Sequence, residues 1–169
     1  MTNPIRLWTC AAYHPVYRCG GWASVRVGQG PVFGVAGGER NTTASRTALA
    51  ALAAGLRDLP AVGGQAPASA IDIQTTSPEL ARFAGFLAGL GEPNQAAGPD
   101  EDLDLWAQIA TAAKGRRLSL ALAALDTGAP IAFAAAWADL ARDKAKAAGA
   151  FTAAIPKPNL AKIPGLDLK

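Results

Sequence analysis

Apolar positions recur along this chain with two different periods. Ile5 to Ala12 is a short, almost wholly apolar run with Arg6 as its one charge, the pattern of a central strand covered on both faces. Trp22 to Val27 alternates, with Ala23, Val25 and Val27 on one side and Trp22, Ser24 and Arg26 on the other. Gly20-Gly21 before it and Gly28-Gln29-Gly30-Pro31 after it are turn signals, and Val32 to Ala36 reads as a third strand. Three consecutive strands joined by short turns predict an antiparallel meander. The period then changes. Leu49, Leu52, Leu56 and Leu59 mark a helix over Thr42–Leu59, capped by Thr42 or Thr43 and ended by Pro60 and Gly63-Gly64.

The second half alternates strand and helix. Ala68–Thr75 predicts a fourth strand with Ile71 and Ile73 on one face. Ser77-Pro78-Glu79 opens a helix lined by Leu80, Phe83, Leu87 and Leu90. Gly91–Pro99 reads as a loop, and Asp100, Glu101, Asp102 and Asp104 crowd the start of a third helix as a solvated cap favoured by the helix dipole. Arg116–Leu125 is a fifth strand. Ile131–Ala148 is a last helix with Ala134, Trp137, Ala141, Ala145 and Ala148 facing inward. Phe151–Lys169, with three prolines and three lysines, reads as a tail that is flexible or laid along the surface. This order predicts an α/β domain over residues 1–150, a mixed five-stranded sheet with three antiparallel and then two parallel strands flanked by helices, followed by the tail over 151–169.

Composition narrows the picture. The 169 residues suit one domain; half are hydrophobic, many of them alanine, so the core should be packed from small side chains. A net charge of +3 is mildly basic and lacks the Lys/Arg runs of nucleic-acid arms. No leader pattern opens the sequence and no apolar run is long enough to span a bilayer, which predicts a cytoplasmic protein without membrane contact. Cys10 and Cys19 are then expected as free thiols. With His14 they would suit zinc, but no fourth ligand is close in sequence.

Four local motifs in this order resemble the ribonuclease H family. They are Gly20-Gly21-Trp22-Ala23 opening the second strand, Arg40-Asn41-Thr42-Thr43-Ala44-Ser45-Arg46-Thr47-Ala48-Leu49 leading into the first helix, Thr75-Thr76-Ser77 ending the fourth strand, and Trp137-Ala138-Asp139-Leu140-Ala141 in the last helix. The resemblance runs from about Ile5 to Gly149. It implies a site where four carboxylates hold two magnesium ions about 4 Å apart. At the matching positions this chain has Cys10, Ala48, Thr76 and Ala138. Magnesium requires hard oxygen ligands that neutralise its charge, which a thiol, two methyl groups and a hydroxyl do not supply. A one-residue slip would bring Asp139 to the fourth position, and Glu39 stands just before the first helix.

The resemblance therefore implies a catalytically inactive ribonuclease H-like domain, without metal or cofactor, retained as a nucleic-acid- or protein-binding module. The alternative is an active RNA–DNA hybrid nuclease with an atypical ligand set. Candidate nucleic-acid contacts are Arg40, Thr43, Ser45 and Arg46 around the first helix, and Arg142, Lys144 and Lys146 on the last. Weak RNA, DNA or hybrid binding through these groups is one expectation; a protein partner or self-association through the tail is the other.

Overall fold

The computed structural model describes residues 4–28, 30–59, 70–90 and 98–166. Its sheet is built from β1 (Ile5–His14), β2 (Cys19–Val27), β3 (Phe33–Glu39), β4 (Ala70–Thr75), β5 (Arg117–Leu122) and β6 (Phe151–Ala154). The strand order is β5-β4-β1-β2-β3-β6. β1, β2 and β3 form the expected antiparallel meander, and β4 and β5 add in parallel on the other side of β1. The start of the fourth strand, the glycines after the first helix and most of the 91–99 loop lie outside the described residues.

Apolar side chains leave both faces of the sheet and each face is roofed by helices. On one face Leu7, Trp22, Val35, Ile71, Ile73 and Leu118 pack under α1 (Ala44–Gly55), α2 (Pro78–Ala81), α3 (Ala84–Ala88) and α4 (Leu103–Ala113). On the other, Trp8, Cys10, Ala23, Val25 and Ala36 pack under α5 (Pro130–Ala148). The alternation read in Trp22–Val27 is thus the partition between two cores.

α5 is alanine-rich for a steric reason. Ala134, Ala138, Ala141 and Ala145 present methyl groups to the sheet, and β2 and β3 answer with glycine. A β-carbon at Gly21 would overlap the backbone of Ala138 and Arg142, and one at Gly38 would come within 2.7 Å of Ala145 Cβ. Gly20-Gly21, read from the sequence as a turn, lies inside β2; Gly21 admits α5, and Gly20 leaves room for the Thr47 side chain of α1.

Five expectations need correction. The sheet has six strands, because Phe151–Ala154 pairs antiparallel with β3. The supposed tail then runs through α6 (Lys157–Leu160), with Ile155, Leu160 and Ile163 buried against the α5 side. Apolar residues spaced too irregularly to show a period find places because the surface they cover is already formed. The helix expected from Ser77 is broken into α2 and α3, where Phe83 and Phe86 both turn edge-on to Trp106, at 5.0 and 5.3 Å. In α5 the inward stripe holds Ala138; Trp137 is half-buried and Ala148 exposed. The fifth strand ends at Leu122, leaving Leu125 exposed beyond it.

Candidate functional site

Parallel strands bring their C-terminal ends to one edge of the sheet. Thr9 pairs with Thr75, so Cys10 and Thr76 follow side by side. The Thr76 hydroxyl donates to Cys10 Sγ at 3.5 Å, and the thiol reaches the Ile131 carbonyl at 3.5 Å. Cys10 is buried among apolar groups, which pushes its thiol up to about 11; the hydrogen bonds from Thr76 work against this and the charge of Asp139 adds to it. At neutral pH the sulfur keeps its proton, the form in which it is a weak nucleophile.

The other two motif positions lie in different layers. Ala138 lies in the same buried cluster as Cys10, under α5. Ala48 is buried in α1 on the opposite face. None of the four positions offers a charged oxygen. Asp139 is exposed and paired with Arg142 at 3.6 Å, and Glu39 is paired with Arg46 at 3.6 Å. Among the described residues no group of three or more His, Cys, Asp and Glu side chains is placed to hold a metal ion. Cys10 and His14 share a face of β1 four residues apart, roughly 13 Å along a strand, and Cys19 pairs with His14. Both cysteines are free and buried.

The basic candidates are drawn into contacts within the chain. Arg40 donates from Nε to the Ala145 carbonyl at 3.0 Å and from Nη2 to that of Lys146, tying β3 to the C-terminal end of α5. Thr43 caps α1, accepting from the Arg46 amide at 3.1 Å. Ser45 lines a 270 Å³ cleft whose wall carries Asp100, Glu101 and Asp102. Arg142 is paired with Asp139 and Asp143, Lys144 Nζ lies 4.4 Å from the Phe151 ring centroid, and Lys146 Nζ lies 3.8 Å from that of Tyr17.

Arg46 shows the effect most fully. Its guanidinium meets Asp104 at 2.8 Å, Asp102 at 3.2 Å and Glu39 at 3.6 Å. The bond to Asp104 leads in pushing Arg46 above its ordinary range, and Asp104 is pulled down to about 2, with the Arg46 hydrogen bond as the main cause. Three carboxylates face one cation, so the surface is negative where a phosphate contact was expected. Sequence reading assigned the 100–104 acidic run to helix capping. Asp102 does occupy the cap position of α4 but makes no side-chain cap bond, and reaches Arg46 instead. The only sequence signal for this pairing was an unmatched arginine in one helix and surplus acid in another.

No family model matches the chain, and no curated protein matches its sequence. Solved structures do. The N-terminal RNase H domain of a Mycobacterium tuberculosis protein, solved as a fusion with maltose-binding protein, superposes with a TM-score of 0.61 at 16% identity, over 85% of this chain and 96% of that one. LC11-RNase H1, in complex with an RNA/DNA hybrid, gives 0.60 at 19% identity over 83% and 98%. LC9-RNase H1, a type 1 RNase H with the type 2 active-site motif, gives 0.56 at 16% identity over 95% and 81%. Near-complete coverage of independent structures, together with the mixed strand order and the helix layers on both faces, establishes that this chain has a ribonuclease H-like fold.

Proposed function

We propose that this chain is a ribonuclease H-like domain without nuclease activity, serving as a binding module. The observation that carries the reading is the contact between Cys10 and Thr76 at the strand ends, a buried protonated thiol against a hydroxyl. Two magnesium ions there would lose hydration without carboxylates to replace it. The exposed Asp139 is a single carboxylate held by Arg142.

A protein partner is favoured over nucleic acid by the charge around Arg46. A phosphate approaching α1 meets Glu39, Asp102 and Asp104 with their shared cation already engaged. Phosphate contacts supply most of the affinity for a nucleic-acid backbone, and counterion release requires cations that are free to pair. A nucleic-acid role draws its support from the fold and from Arg142, Lys144 and Lys146 on one helix.

Incubating purified protein with a labelled RNA–DNA hybrid and magnesium or manganese tests this. No cleavage is expected, and any binding at low salt should fall steeply as salt rises and discriminate little between sequences. Metal-dependent cleavage lost in Asp139→Asn would overturn the reading in favour of an active nuclease with an atypical ligand set. Salt-resistant, hybrid-specific binding would replace the protein partner with a dedicated nucleic-acid reader.

A further inference from the structure

A second concavity lies at the other end of the molecule from Cys10 and Thr76. Its Arg116 immediately precedes β5, whose first residue, Arg117, pairs with Ala70 at the start of β4, opposite the end where Thr75 meets Leu122. The cavity measures about 530 Å³, within the range of small-molecule sites. Leu56, Leu59 and Ala112 form an apolar floor between the C-terminal ends of α1 and α4. Arg57, Arg116 and Gln108 stand on its wall. We propose that this cleft binds a small organic anion, an apolar body bearing one acidic head, with Arg57 taking the head and the leucines the body.

The charge balance points to that class of ligand. Three guanidinium groups, Arg26, Arg57 and Arg116, gather at the end of α1, with Asp58 on the cavity wall and Arg116 donating from Nη1 to the Ala112 carbonyl at 3.1 Å. Arg26 is committed to the helix, donating from Nη1 to the carbonyls of Gly55 at 2.6 Å and Arg57 at 2.7 Å. Burial pushes its guanidinium down, the charge of Asp58 opposes this, and the charge of Arg116 adds to it. An anion in the cleft relieves that repulsion. Arg57 is exposed, and no carboxylate among the described residues pairs with its fork, which matches the two oxygens of a carboxylate or phosphate. Thr111 completes the wall, but its hydroxyl proton is given to the Ala107 carbonyl at 2.9 Å, so the head group relies on Arg57 and the Gln108 amide.

The test titrates the full-length chain, by heteronuclear NMR, with phenyl phosphate, phenylacetate, phenol and inorganic phosphate. At least one of the two anions with a ring should bind about tenfold or more tightly than phenol or inorganic phosphate, and shift the amides lining the cleft. Which of the two binds better identifies the head as phosphate or carboxylate. Arg57→Gln should weaken binding by about tenfold, the loss of one charge-assisted pair. Ala107→Trp, at an exposed position on the cavity wall, should block binding while leaving the unfolding temperature in place. No anion binding below about 10 mM, phenol binding as well as phenyl phosphate, or an Arg57→Gln protein of unchanged affinity would each overturn the proposal. The cleft is remote from the strand ends, so these outcomes are independent of whether the chain cleaves hybrids.

Discussion

At the scale of single residues, Cys10 makes two measurable commitments. Its thiol is held near 11 in the folded chain against an ordinary value of 9.0. The folded state keeps the proton more firmly, so the contribution of this group is fully present below pH 9.0 and is lost as pH rises through about 11. Unfolding of the wild-type chain and of Cys10→Ala, compared at pH 8 and pH 10.5, should show an alkaline loss greater in the wild type by on the order of 2 kcal/mol. Equal slopes would mean that the thiol is not buried as described. The second commitment is positional. Carboxylates at both positions, in Cys10→Asp with Thr76→Asp, would stand within a few ångströms of each other and repel. The double variant should melt earlier than wild type and recover part of the loss in millimolar magnesium. A melting temperature indifferent to magnesium would count against assigning these positions to a former metal site.

Arg46 carries a different expectation. Asp104 is held at about 2 against an ordinary 3.8, so its share of stability is present above 3.8 and is lost as pH falls toward 2. Arg46→Gln should therefore lower the unfolding temperature at pH 7, less so in high salt, and have a much smaller effect near pH 2. These pairs are partly exposed, and screening limits what they contribute. Persistence of the full effect at pH 2 would mean that the arginine acts by packing.

At the scale of elements, the contact between α5 and the sheet is set by absent side chains. Gly21→Ala inserts a methyl group into the backbone of α5 and should cost about 3 kcal/mol by overpacking. Gly85→Ala, where a β-carbon meets nothing within 4 Å in α3, is the control and should be stabilising by about 0.5 kcal/mol. Chemical denaturation of both variants decides whether glycine is required by contact or merely present. The sixth strand and α6 are equally structural. Leu160→Ala should cost about 2–4 kcal/mol, because the side chain fills the buried cluster beneath α5. Removing 151–169 should expose the β3 edge and its apolar neighbours and yield aggregating protein. A soluble, fully folded truncation would restore the reading of this segment as a tail.

At the scale of the whole molecule, the periodic elements were legible in the sequence because each is specified by its own neighbours. Alternation in Trp22–Val27, the leucine steps after Thr43 and the Ser-Pro start at residue 77 depend on local geometry. The right-handed crossover rule then turned element order into a mixed sheet. Cys10 and Thr76, singled out by motifs, come into contact because Thr9 pairs with Thr75 in the parallel β1–β4 pair. Tertiary structure decided what sequence neighbours could not. Phe151–Ala154 is a strand only because β3 offers an unpaired edge. The helix after Ser77 breaks where two phenylalanines converge on one indole. The basic residues proposed for phosphate contact are engaged by carbonyls, rings and carboxylates, many of them more than fifty positions away along the chain. Charge can be counted in a sequence, but whether a cation is free to bind is fixed by which opposite charge the fold places within about 4 Å of it.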